Sequence, residues 1–134
     1  MPPRSPRPAD AASVRQHLRD FAATLPESYE DFPWSEVVAK VNKKVFVFLG
    51  AEPGSPEAPQ LPGMSIKLDE SREAALAAEG AEPSGHGLGK HGWVTVPYVA
   101  PAAPPAGVLA DWVEESYRLV APKRLVKVLD TTQS

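Results

Sequence analysis

The 134-residue chain contains no cysteine. Structural disulfides and thiolate metal centres are excluded, and a reducing compartment is compatible with the composition. The chain also lacks any apolar run near the roughly 20 residues needed to span a bilayer. Its opening Met1-Pro-Pro-Arg-Ser-Pro-Arg-Pro8 has no apolar segment of the kind a secretory signal requires. These absences predict a cytoplasmic protein with no membrane partner. A basic excess is missing too, with 14 Lys and Arg against 17 Asp and Glu, a net charge of −3. Proteins that grip nucleic acid by its phosphates usually carry surplus positive charge, so such a role here requires charge gathered on one face. The length fits one domain with a core large enough to need no staples.

Proline is abundant, at 16 residues, and it punctuates the chain. Residues 1–9 read as a disordered leader, 10–129 as a single α+β domain, and 130–134 as a C-terminal tail. Asp10 offers an N-cap to a helix whose apolar stripe is Val14, Leu18, Phe21 and Leu25, with Arg15, Arg19 and Asp20 left for solvent and Pro26 as the stop. Tyr29 to Trp34 is a connector or brief edge strand. Val37 to Val41 and Val45 to Leu49 alternate on either side of Asn42-Lys43 and predict a hairpin, with Phe46 and Phe48 facing opposite Val45 and Val47.

A proline-rich loop, Gly50 to Gly63, leads to a third strand over Met64, Ile66 and Leu68. Asp69 caps a helix from Glu70 to Glu79 that stops at Gly80. After a further strand over Trp93 to Val96 and the linker Pro101 to Pro105, the last helix buries Leu109, Trp112, Val113, Ser116 and Val120. Pro122 ends it, and Lys123 to Lys127 form a basic tail. The expected order is α-β(3)-α-β(2)-α, a two-layer α+β sandwich with three helices and a mostly antiparallel sheet.

No catalytic constellation emerges. Gly87-Leu-Gly-Lys-His-Gly92 matches G-x-G-x-x-G, but a strand follows where a dinucleotide site needs a helix N-terminus for the pyrophosphate. Position 84 is Ser and position 91 is His, so a Walker loop fails as well. His86 and His91 lack the further ligands a zinc ion requires, and Ser116 sits mid-helix without the sharp turn that exposes a serine nucleophile. Neither metal nor cofactor is expected, and the protein is read as a non-enzyme. Trp93, Trp112, Phe46 and Phe48 are expected in the core. The Tyr117 hydroxyl is expected to satisfy a local hydrogen bond. Basic residues fall in three groups: Lys40, Lys43 and Lys44 around one hairpin, Lys90 and His91 around another, and Lys123, Arg124 and Lys127 in the tail.

Three blocks in order resemble the MmcQ/YjbR family: Asp31-Phe-Pro-Trp34 followed by Lys44-Val-Phe46, the Gly85 to Val96 stretch ending Gly-Trp-Val-Thr-Val, and Glu115-Ser-Tyr-Arg-Leu-Val120. The resemblance runs from about Ser13 to Leu129. It implies a YjbR/CyaY-like sandwich and a DNA-binding role with hairpins as wings. On that expectation Lys40, Lys43, Lys44, Lys90, His91, Lys123, Arg124 and Lys127 neutralise phosphates, and the glycines let backbone N–H groups approach them. Nothing supplies an Arg or Asn pair to read base edges, so low sequence specificity is expected. The alternative is a protein- or small-ligand-binding module using the sheet face or a cleft beside Trp93.

Overall fold

The computed structural model describes residues 11–33, 36–52, 55–56, 63–78, 80–85, 87–98 and 104–133. The proline-rich leader, Asp10, Trp34, His86 and most of the Gly50 to Gly63 loop lie outside them. Six strands form one antiparallel sheet in the order β1-β2-β3-β4-β6-β5. They are β1 (Tyr29–Asp31), β2 (Glu36–Val41), β3 (Lys44–Ala51), β4 (Gly63–Lys67), β5 (Glu82–Pro83) and β6 (Trp93–Pro97). Four α-helices accompany them among the described residues: α1 (Ala11–Ala23), α2 (Arg72–Leu76), α3 (Ala106–Val120) and α4 (Lys123–Gln133).

Alternation along the strands sends Val41, Val47, Ile66, Val94 and Val96 into one core with Val14 and Leu18 of α1 and Leu109 and Val113 of α3. α1 packs against α3, and α3 lies across β3 and β4. The expected α+β class and antiparallel sheet are observed, and Tyr29–Asp31 is a true edge strand.

β3 is not a regular strand. Val37 pairs with Gly50 and Val38 with Phe48, leaving Leu49 over; Ala39 pairs with Val47 and Lys40 with Val45, leaving Phe46 over. Each unpaired residue is a β-bulge, which bends the strand and re-aims side chains. The bulge overturns the expectation that Phe46 shares a face with Phe48. Phe46 turns to the helices and meets the Tyr117 ring edge-on at 5.3 Å, while Phe48 stays on the far face against Trp93.

A bulge also frees a backbone carbonyl, and a buried carbonyl needs a donor. Tyr98 Oη donates to Leu49 O at 2.6 Å, and Arg15 Nε donates to the same oxygen at 3.2 Å. Arg15 is only 3% exposed, correcting its expected place in solvent. Its other nitrogens reach Gly50 O at 2.9 Å and the Glu52 carboxylate at 3.0 Å, so the buried guanidinium is neutralised and hydrogen-bonded.

Phe46 O is satisfied differently. The β3–β4 register pairs Val47 with Ile66 and Phe48 with Ser65, so the next pair would be Phe46 and Lys67. Instead the Ser116 hydroxyl of α3 lies between them, accepting from Lys67 N at 2.9 Å and donating to Phe46 O. Tyr117 donates to Pro26 O at 2.7 Å, a contact across 91 residues rather than a local one.

Two helical expectations change. α2 is shorter than Glu70 to Glu79, and the expected basic tail is a helix. Ala121, pushed into extended backbone by the proline after it, ends α3. Pro122 O then accepts from Leu125 and Val126 N–H groups, so the residue that stops one helix starts the next. Leu125 and Leu129 bury one side of α4.

Ser116→Ala leaves a buried donor and a buried acceptor unmatched. We predict a loss of roughly 1–3 kcal/mol in unfolding free energy, measured by urea titration, with the fold retained.

Candidate nucleic-acid interface

Strand register decides which basic residues share a side of the molecule. β3 begins where β4 ends, because Val47 faces Ile66, and β4 ends where β6 begins, because Lys67 faces Trp93. The β2–β3 turn, Lys67 and the loop before β6 therefore lie along one end of the sheet. Two to three strand spacings, roughly 10–14 Å, separate the turn from the loop. β1 starts at this end too, since Tyr29 faces Lys40. The ion pair between Arg124 and Glu27 fastens the start of α4 beside it, at 3.0 Å.

The structure thus brings Lys43, Lys44, Lys90 and His91 to one end, with Lys123 and Arg124 on the adjoining first turn of α4 and Lys127 a turn further along. Lys43, Lys44, Lys90, His91, Lys123 and Lys127 are exposed and form no ion pair among the described residues. Two expected contacts are already engaged. Lys40 lies within β2, not at the tip, and its ammonium sits 2.8 Å from Asp31. That hydrogen bond raises the Lys40 pKa and lowers that of Asp31. Arg124 donates to both oxygens of Glu27, at 3.0 and 3.4 Å, which raises its own pKa and lowers that of Glu27.

Two cations at this end escape a reading by groups of basic residues. Lys67, half-buried, ends β4. Arg72 lies among acidic neighbours in sequence, yet its guanidinium reaches Gly89 O at 3.4 Å, under the loop that carries Lys90. Its Nε is buried with no partner among the described residues.

The glycine stretch has another role than expected. Residues 84–92 join β5 to β6, with a 3₁₀ turn at Gly89–His91 and no α-helix opening after the glycines. Gly92 has φ +92°, and a Cβ there would lie 2.8 Å from Leu68 O. A Cβ on Gly89 would lie 2.9 Å from the Pro83 side chain and 3.0 Å from Ser84 O. The N–H groups of Leu88, Gly89, His91, Gly92 and Trp93 all donate to carbonyls of Ser84, Gly85, Leu88 or Gly89. Those glycine N–H groups are not available to phosphates. Gly89 and Gly92 fold the loop tightly onto the sheet, and the Lys90 and His91 side chains stay exposed.

α2 flanks this loop, and α3 holds its entry. The Glu115 carboxylate accepts from Asp69 N at 2.9 Å, Ser71 N at 3.2 Å and Ser71 Oγ at 2.7 Å. A residue from another helix thus does the capping expected of Asp69. Burial alone would raise the Glu115 pKa, but these hydrogen bonds together outweigh it and the pKa falls below its ordinary 4.5.

A separate open groove of about 510 Å³ runs between α1 and β1, lined by Gln16, Arg19, Asp20, Ser28, Tyr29 and Glu30 among others. Its polar groups are largely paired already: Gln16 with Asp20, Arg19 with Glu30, and Ser28 with Ala22 O. Trp93 is 8% exposed and packed on Phe48, so its ring offers little surface to a ligand.

A six-stranded antiparallel sheet with α1 and α3 packed together on one face defines an α+β protein whose exposed lysines gather at one sheet end. The YjbR family model matches residues 23–119, and the chain belongs to the YjbR family. The match runs from the end of α1 through most of α3 and stops short of α4. No curated protein matches the chain.

The depressed Glu115 pKa stabilises the fold above about pH 4.5, and that contribution is lost as pH falls through the lower folded value. Glu115→Gln is predicted to lower the melting temperature at pH 7, with the gap from wild type closing as pH is taken from 5 towards 3 in thermal melts.

Proposed function

We propose that the protein is a small, non-enzymatic DNA-binding protein that grips the phosphate backbone with the basic end of its sheet. The observation that carries this reading is the strand register. It gathers Lys43, Lys44 and Lys90 at one end, exposed and free of ion pairs among the described residues, in a chain whose net charge is −3. Lysines left without carboxylate partners are the ones able to release counterions from a phosphate backbone. Lys123 and Lys127 extend the row along α4. Lys67 and Arg72 stand behind it.

Low sequence specificity follows from the same residues. Lysine is a point charge on a flexible stem, whereas base edges are read by bidentate arginine or amide side chains. Arg124 is held by Glu27, and Asn42 is occupied in forming a turn. The non-enzymatic reading is supported by the Ser116 hydroxyl, which is buried and committed on both sides to backbone partners.

Three or four lysine contacts predict that log K for duplex DNA falls with log salt at a slope of roughly −3 to −4. Lys90→Glu is predicted to make that slope shallower by about 1 and to weaken binding at every salt concentration, irrespective of DNA sequence. Fluorescence anisotropy with two unrelated duplexes tests both points. Absence of micromolar binding by the wild type at low salt overturns the reading.

A further inference from the structure

Among the described residues, three that are not glycine have positive φ: Glu27 at 56°, Asn42 at 50° and Lys43 at 67°. L-residues avoid this region because Cβ crowds the backbone, and a residue held there is worth asking about. Asn42 needs no explanation, since asparagine tolerates the left-handed conformation. Glu27 forms an ion pair with Arg124. Lys43 forms no ion pair among the described residues.

Asn42 and Lys43 are the two central residues of the β2–β3 turn, both left-handed, which is the type I′ geometry that suits the twist of a hairpin. In such turns the second position favours glycine, and Asn-Gly is the preferred pair. The chain has nine glycines, and among the described residues four stand at positive φ elsewhere, at Gly50, Gly80, Gly87 and Gly92. A lysine at this position thus carries strain that a glycine would relieve. What the lysine supplies instead is charge, on a turn of only two residues closed by the Val41–Lys44 pair. Its neighbours at that end are Lys44 and, across β4, the loop of Lys90.

We propose that Lys43 is a phosphate-contacting residue kept in a strained conformation at the expense of stability, presented by the rigid turn at a fixed place in the row with Lys44 and Lys90. This rests on the DNA-binding reading and names the residue on which that reading places a stability cost. Because the turn is closed by the ladder, little ordering of backbone remains to be done when a phosphate binds.

Lys43→Gly separates the two consequences, because it removes both the strain and the charge. The variant is predicted to melt about 2–5 °C higher than wild type. Its duplex-binding slope in log salt is predicted to be shallower by about 0.9, the loss of one phosphate contact. Lys44→Gln, at a strand position without positive φ, is the control and is predicted to lose slope with no rise in melting temperature. A Lys43→Gly protein that melts no higher than wild type overturns the inference, since the strain would be absent. One that melts higher but keeps the wild-type slope, while Lys90→Glu still weakens binding, overturns it while leaving the DNA reading intact. Wild-type protein that shows no salt-dependent binding overturns the DNA reading, and this inference with it.

Discussion

The Ser116 hydroxyl stands between Phe46 O and Lys67 N, where two strands would otherwise pair directly, and it adds a polar fastening to the apolar packing that joins the helical layer to the sheet. Successive helix residues point about 100° apart, so neighbours on α3 reach different parts of the molecule. Glu115 caps the segment before α2, Ser116 stitches the β3–β4 seam, and Tyr117 packs on Phe46 and ties down the turn after α1. Three adjacent side chains thereby fix one helix to a helix start, a sheet and a turn. The bulge at Phe46 makes this possible, since it turns that ring towards α3.

This division of labour means that most residues of the blocks that carry the family resemblance serve the fold, while Lys44, Lys90 and His91 within those blocks stay exposed. Glu115, Ser116 and Tyr117 are engaged with other parts of the same chain, as are Gly89 and Gly92. Family membership identifies the fold and its internal joints. The residues left for a partner are the lysines outside those joints, and they come together only through tertiary pairing. Lys44 and Lys90 are far apart in sequence, and β4, antiparallel to both β3 and β6, brings their ends alongside. The basic end is therefore a consequence of strand order and register more than of composition.

Periodicity made much of the fold legible. The apolar stripes of α1 and α3 and the alternating strands are strong local signals, and each corresponds to an observed element. The bulges were not legible, because Val45-Phe46-Val47-Phe48 is apolar on both faces and allows either register. Arg15 was misread because its partners are carbonyls at Leu49 and Gly50, which no pattern within α1 can show. α4 was missed because Pro122 reads as a stop, although a proline can equally precede a helix. At the candidate site the exposed lysines of the turn and loop were legible as hairpin residues. The ion pairs that engage Lys40 and Arg124, and the tertiary placement of Lys67 and Arg72, depend on distant residues and were not.

The central claim is that DNA, on the reading proposed above, meets one end of the sheet together with the adjoining first turns of α4. A titration of isotopically labelled protein with a short duplex at low salt, followed by amide chemical shifts, tests this most directly. The account predicts shifts concentrated at residues 42–44, 67, 87–92 and the first turns of α4, all reversed by added salt. Shifts centred on the groove between α1 and β1, or no shifts at all, would contradict it.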